Sequence, residues 1–227
     1  MTRRAVIFDV DGVLVDSYHA HMKAWMIIGE KLGRTITEEQ FIPTFGRRND
    51  EVFHWLLDHA VPDSEIPRWG DLKEEVYRRI LAEDFPEMDG AVELVESLKA
   101  AGFALAVGSS GPPENVEAAM AGLGRRRLFD AFANGVEVAH SKPDPAVFLL
   151  AARKMAIDPR ACAVVEDSLA GLEAAARAGM TPIALTGTFP RERLVGHADL
   201  VADSLRELRP GVVAELIDRR AHLNDKC

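Results

Sequence analysis

Six side chains stand out for the chemistry that their types and spacing allow. They are Asp9 and Asp11 in "FDVDGVLVDS", Ser109 in "AVGSS", Lys142 in "HSKPDP", and Glu166 with Asp167 in "VVEDS". Each stretch directly follows a short apolar run or lies in a loop. Burial alone does not ask for acids there, because an uncompensated carboxylate in a low-dielectric site is strongly disfavoured. Four carboxylates outweigh the single positive charge of Lys142, so the group could not hold an anion unaided. A divalent cation reverses that balance, and carboxylates, water and phosphate oxygens are the donor set that suits Mg²⁺. Residues that would repel a phosphate dianion can therefore bind one through a metal.

Within such a site the first two acids divide the work. An unperturbed aspartate has a pKa of about 3.9, so Asp9 is expected to be ionised at neutral pH and to need no base. Attack of its carboxylate on phosphorus gives an aspartyl-phosphate. Asp11 is placed to protonate a leaving oxygen and then to accept a proton from the incoming nucleophile. Ser109, and Ser110 through its backbone N–H, suit phosphate oxygens at the start of a helix following Pro112 and Pro113. Lys142 supplies a fixed positive charge. Plainer readings stand beside these. Asp-Gly is a common turn pair, Glu166–Asp167 could cap the helix that follows, and a lysine before proline could be a solvated loop charge.

These residues need a frame that brings them together. "RAVIFD" (4–9), "FALAV" (103–107), "CAVVE" (162–166) and "PIAL" (182–185) read as buried strands. Between them lie amphipathic helices, one around Ala91, Leu94, Val95 and Leu98, others at 146–155 and 169–178. Gly102 and Gly179 stand where helix C-termini favour a left-handed residue. Such alternation implies a parallel sheet covered on both faces. Its strand carboxyl ends would converge on one crevice. The stretch after the first strand is different. It shows a helix at 18–32 with Met22, Trp25, Ile28 and Leu32 on one face, then helical pattern near 47–60 and 71–84, separated by Pro43, Pro62 and Pro67. The expected architecture is an α/β, Rossmann-like parallel-sheet core (1–16 and 87–227) with an inserted α-helical cap (17–86). The terminal "AHLNDKC" is expected to fray.

The chain has 227 residues, 48% of them hydrophobic, and a formal net charge of −9. That composition supports a sizeable soluble core and argues against nucleic acid or an anionic membrane surface as partners. Two distant cysteines, Cys162 and Cys227, form neither a disulfide framework nor a zinc site. No signal-peptide core or spanning segment is evident, so a cytoplasmic location is expected.

In order and spacing, "DVDGVLVDS", "AVGSS", "SKPDP" and "VVEDSLAG" resemble the four motifs of the haloacid dehalogenase superfamily. The chain looks most like the β-phosphoglucomutase-like branch of small phosphatases and mutases. The resemblance implies Mg²⁺ as cofactor, Asp9 as nucleophile and Asp11 as acid/base, with the Asp11 backbone carbonyl on the metal. It also implies phosphoryl binding by Ser109 and Lys142, Mg²⁺ ligation by Asp167, and help from Glu166 directly or through water. In the cap it nominates His21, Arg47, Arg48, Asn49 and Lys73 as substrate residues. Trp25 reads rather as core packing, and "LKEEVYRR" around Lys73 also reads as a charged helix face. Asn49 stands where a sugar mutase would be expected to have arginine. The expected function is a Mg²⁺-dependent phosphatase of a small phosphorylated metabolite, such as a sugar phosphate, working as a monomer or small homo-oligomer. The alternatives are a β-phosphoglucomutase, whose core apparatus is shared, and a non-catalytic metabolite-binding module, which would have no need of Asp11.

Overall fold

A computed structural model of the chain describes residues 3–44, 49–57 and 61–224. The chain divides into two compact units, Met1–Asp16 with Glu87–Cys227, and Ser17–Pro86. The larger unit is built on six strands: β1 (Ala5–Phe8), β2 (Ala104–Gly108), β3 (Ala131–Ala133), β4 (Cys162–Glu166), β5 (Thr181–Leu185) and β6 (Leu200–Ala202). The smaller unit contains helices α1 (Tyr18–Lys31), α2 (Glu38–Phe41), α3 (Asn49–Leu57) and α4 (Ile66–Glu83). The remaining helices belong to the larger unit: α5 (Ala91–Ala100), α6 (Pro113–Leu123), α7 (Ala146–Met155), α8 (Leu169–Arg177), α9 (Arg191–Leu194) and α10 (Pro210–Asn224).

The six strands form one sheet in the order β3-β2-β1-β4-β5-β6, and every pairing is parallel. This is the doubly wound, Rossmann-like α/β fold expected from the alternation of strands and helices. Every residue of β1, β2, β4 and β5 is buried, as a sheet covered on both faces requires. Ala5 and Ile7 of β1, Ala104 and Ala106 of β2, and Cys162 and Val164 of β4 share a core with Phe148 and Ala151 of α7 and Ala174 and Ala175 of α8. On that face small strand residues leave room for the Phe148 ring. Helix α5 packs on β2, and α10 on β4 and β5. Burial pushes the thiol of Cys162 up to about 12, so it behaves as a small core hydrophobe.

Several local expectations hold. Gly102 and Gly179 do take positive φ, at 87° and 74°. Three others change. Strands β3 and β6 were not anticipated, because three residues are too few to show a period. Pro67 does not separate helices; it lies in the first turn of α4, where its missing N–H leaves no hydrogen bond unmade. Of the tail, residues 221–224 are helical, and 225–227 lie outside the described residues. Val213, Leu216 and Ile217 are buried along α10, and Arg4 donates to both carboxylate oxygens of Asp218.

The regular secondary structure of the smaller unit is all helix among its described residues. Trp25, Ile28, Phe41, Val52, Phe53 and Leu57 form its core. No helix among the described residues of the chain is long and apolar enough to cross a membrane.

At the β2–β3 edge, Asp130 makes a double closure. Its N–H donates to the Leu105 carbonyl at 2.7 Å, and its carboxylate accepts the Leu105 N–H at 2.9 Å and Lys99 Nζ at 2.7 Å. Burial alone would raise its pKa, but Lys99, the Leu105 N–H and Arg3 outweigh that and lower it. A depressed carboxyl contributes stability above its ordinary pKa and loses it as pH falls through the folded value. Asp130→Asn should therefore cost about 1–2 kcal/mol in urea unfolding at neutral pH, with the difference from wild type vanishing in acid.

Candidate active site

The strand order reverses on either side of β1, so the crevice beyond the carboxyl ends of β1 and β4 is the natural ligand site of this topology. In register, Phe8 lies opposite both Val107 of β2 and Val165 of β4. One residue further, the Asp9 N–H still donates to the Val165 carbonyl at 3.0 Å. The ladder therefore places the Asp9 side chain just past the sheet, beside Glu166, the last residue of β4.

Lys142 joins the two. Its Nζ lies 2.9 Å from Asp9 Oδ1 and 2.7 Å from Glu166 Oε1. It also lies 4.8 Å from the centre of the Phe148 ring. The Lys142 side chain is only 7% exposed, so it is no solvated loop charge. Burial alone would lower its pKa, but Asp9 and Glu166 reverse this and hold it protonated. The second Glu166 oxygen accepts from the Ser168 N–H at 2.7 Å and the Ser168 hydroxyl at 2.8 Å. That same hydroxyl accepts the Gly171 N–H and caps α8. The cap of α8 is thus Ser168, and the two acids before it are left for the crevice.

Asp9, Glu166 and Asp167 each offer a carboxylate oxygen within 4.8 Å of the others. The Asp11 carboxylate lies outside this triad but is near enough to raise the pKa of Asp9. Asp167 accepts a hydrogen bond from Thr188 in the loop after β5. Burial, with Glu166 and Asp9 adding to it, pushes Asp167 well above the usual carboxylate range. Burial likewise pushes Asp9 up to about 7; Lys142 opposes this, and Glu166 and Asp11 reinforce it. Against the ordinary aspartate value expected from sequence, Asp9 is therefore shifted upward by its protein surroundings alone. The physical reason is a shortage of buried positive charge. An all-carboxylate donor set with one lysine nearby fits a hard divalent cation, which would lower these carboxyls again.

Close packing leaves no slack around the acids. Gly12 has φ of +75°, and a Cβ there would lie 2.0 Å from Asp167 Oδ2. The turn it occupies is closed by the Gly12 N–H to the Val15 carbonyl at 2.8 Å, with Val13, Leu14 and Val15 fully buried. A Cβ on Gly171 would lie 1.8 Å from Glu166 Oε1. Ser109 is buried just after β2, and its hydroxyl accepts the Gly111 N–H at 3.0 Å. Ser110 is exposed. Helix α6 then starts at Pro113.

The nominated residues of the smaller unit form a cluster of their own. Lys73 is 2% exposed, so the reading of its helix face as solvated fails at this position. Its Nζ lies 2.7 Å from His21 Nδ1 and 3.0 Å from Glu74 Oε1. Asn49 Nδ2 donates to the same Glu74 oxygen at 2.8 Å, and the His21 ring stacks on Tyr77 at 4.0 Å. Trp25 is buried edge-on against Phe53, a packing residue as expected. Arg47 and Arg48 lie outside the described residues.

Ser168, Thr188, Glu74, Gly12 and Gly171 were not singled out from sequence. Ser168 had a usable signal, since a serine two residues after a strand and before an apolar helix is a common cap. Thr188 and Glu74 had none, because their partners are set by tertiary structure.

Comparison with known proteins adds four findings. A family model described as haloacid dehalogenase-like hydrolase matches residues 3–179. A validoxylamine A 7'-phosphate phosphatase of Streptomyces hygroscopicus subsp. limoneus is 31% identical, over 91% of this chain and 96% of that one. Hexitol phosphatase B of Escherichia coli K12 is 32% identical, over 90% and 93% respectively. Among solved structures, a mutant of CbbY from Rhodobacter sphaeroides in complex with xylulose-(1,5)bisphosphate superposes with a TM-score of 0.83. It is 30% identical, over 91% of this chain and 96% of that chain.

The raised carboxyls give a measurable consequence. A folded-state pKa above the unfolded value means that the native state binds the extra proton, so stability falls as pH rises through that range. In EDTA, the Tm of the wild type should drop between about pH 4 and pH 7 more than that of Asp9→Asn, which has no carboxyl to ionise at position 9. Parallel Tm profiles for the two proteins would refute the raised Asp9.

Proposed function

Because this chain belongs to the haloacid dehalogenase-like hydrolases, we propose that it is a Mg²⁺-dependent phosphatase acting on a small phosphorylated metabolite, in particular a phosphorylated sugar or polyol. The observation that carries the reading is the meeting of Asp9, Glu166 and Asp167 with Lys142 at the strand carboxyl ends. The phosphatases among its relatives support the substrate class.

In this reading a carboxylate oxygen of Asp9 attacks phosphorus, the P–O bond to the leaving alcohol breaks, and Asp11 gives that oxygen a proton. Asp11 then takes a proton from water as the water attacks the aspartyl-phosphate, which frees inorganic phosphate and restores Asp9. Lys142 bonds Asp9 Oδ1, which orients the carboxylate and places a fixed positive charge beside the phosphoryl group. Ser109 and the backbone N–H groups of the loop Ser109–Gly111, which leads into α6, hold phosphoryl oxygens. Glu166 is held by Lys142 and Ser168 and Asp167 by Thr188, which presents their carboxylates to the cation. Mg²⁺ bound by Asp9, Asp167 and Glu166, with the Asp11 carbonyl, would supply the positive charge that lets a phosphate dianion approach these acids.

The test is a panel of sugar and polyol phosphates followed by phosphorus NMR. Free phosphate should appear from one or a few members with Mg²⁺, stop with EDTA, and fall to background in Asp9→Asn. Lys142→Met should lower kcat/KM roughly a hundredfold or more. Isomerisation of β-glucose 1-phosphate to glucose 6-phosphate without free phosphate would make the enzyme a mutase instead. Binding of a metabolite with no turnover and no phosphoenzyme would make it a non-catalytic module.

A further inference from the structure

We propose that Gly135 is a positioning residue for the loop Ser109–Gly111, setting the direction of the Gly111 N–H; the inference rests on the reading of that loop as the phosphoryl-holding element. Two backbone segments run side by side beyond β2 and β3. The Ser109 N–H donates to the Ala133 carbonyl at 3.1 Å, and the Gly135 N–H donates to the Gly111 carbonyl at 3.0 Å. Between these bonds the segments touch. A Cβ at Gly135 would lie 2.1 Å from the Ser110 carbonyl oxygen, 2.9 Å from its carbon and 3.4 Å from the Gly111 oxygen. Gly135 is not among the positive-φ residues. Its missing side chain therefore answers to space and not to an unusual dihedral.

The peptide plane turns that contact into an orientation. In a trans peptide the C=O and N–H point in opposite directions. With the Ser110 oxygen seated against Gly135, the Gly111 N–H must face the other way. It does, donating to Ser109 Oγ at 3.0 Å. The absence of a methyl group at residue 135 thus allows an N–H at residue 111 to point towards the side on which Ser109 presents its hydroxyl.

If a methyl group were added, one of the two segments would have to move. The turn carrying Gly135 is tied down. Asn134 Nδ2 donates to Glu137 Oε2 at 2.8 Å, and the Val136 N–H donates to Asn134 Oδ1 at 3.2 Å. Lys154 of α7 then bonds both Glu137 Oε1 and the Phe132 carbonyl at 2.6 Å. The Ser110 side is held more lightly: its side chain is exposed, the Gly111 N–H bonds the Ser109 hydroxyl of its own loop, and no side-chain bond among the described ones ties it to a helix. The Ser110–Gly111 peptide is therefore the part that rotates, and it takes its N–H out of line.

The experiment compares wild type, Gly135→Ala and Val136→Ala, the last an exposed residue of the same turn. In Gly135→Ala, KM for the best phosphate ester and the inhibition constant of inorganic phosphate should rise together, about ten- to a hundredfold, as for loss of one hydrogen bond to a charged group. Val136→Ala should match wild type. A Gly135→Ala protein with unchanged phosphate affinity, or one that loses only kcat, overturns the proposal. Should Gly135→Ala fail to fold, wild-type amide NMR decides. Inorganic phosphate should move the Gly111 resonance downfield, and an unmoved Gly111 overturns the proposal. A wild type that neither hydrolyses any ester nor binds phosphate overturns the phosphatase reading itself, separately from the fate of Gly135.

Discussion

Three charged side chains from distant parts of the chain meet below the surface of the larger unit. Lys142 lies within 2.9 Å of Asp9 and 2.7 Å of Glu166, and all three are nearly closed to solvent. Charges taken out of water must be compensated by partners in good geometry, or they destabilise the fold. That demand requires β1 and β4 to be neighbours with their carboxyl ends level. It brings the loop before α7 back over the sheet and calls on Ser168 to occupy the remaining Glu166 oxygen. Even so the compensation is incomplete. Among the described residues, Asp167 has Thr188 as a hydrogen-bond donor but no cationic side chain in contact, and Asp9 is pushed up to about 7. A fold selected for stability alone would gain nothing from this surplus of carboxylates. A divalent cation would complete that surplus, in keeping with the function proposed above.

The parallel sheet is the instrument that makes the meeting possible. In it every strand ends at the same edge, so residues separated by more than a hundred positions become neighbours without long loops. Helices begin where strands end, and the free N–H groups of their first turns face that edge. Ser168 shows how closely the two roles are joined, because one hydroxyl both caps α8 and holds Glu166. Bare backbone does similar work. Gly12, Gly135 and Gly171 each stand where a single added carbon would collide with a carboxylate or a carbonyl of the site.

The smaller unit solves a related problem by other means. Lys73 is as buried as Lys142 but meets one carboxylate and one imidazole instead of two carboxylates. Aromatic rings surround it, with Tyr77 and Trp25 centred 5.3 Å and 5.7 Å from its Nζ. Asn49 supports Glu74 from a second helix. A buried ammonium in a polar cluster drawn from three helices is a specific arrangement that packing alone does not require.

Much of this was readable from residue types and periodicity. Alternating buried strands and amphipathic helices determine an α/β sheet, because a strand apolar on both faces has to be covered on both. Acids at the ends of Ala5–Phe8 and Cys162–Glu166 announce a polar crevice, since burial alone gives no reason for them. Gly102 and Gly179 mark helix ends through a backbone conformation that few other residues adopt freely. Tertiary structure decided the rest. The three-residue strands Ala131–Ala133 and Leu200–Ala202 have no period to read and exist through their neighbours. The protonation of Asp9 depends on how much water and how many charges surround it, which no local window contains. Whether Lys73 faces solvent or Glu74, and why Gly135 carries no side chain, follow from contacts between segments far apart in the chain. Propensity and pattern act over a few residues, whereas desolvation and steric exclusion act wherever the folded chain brings atoms together.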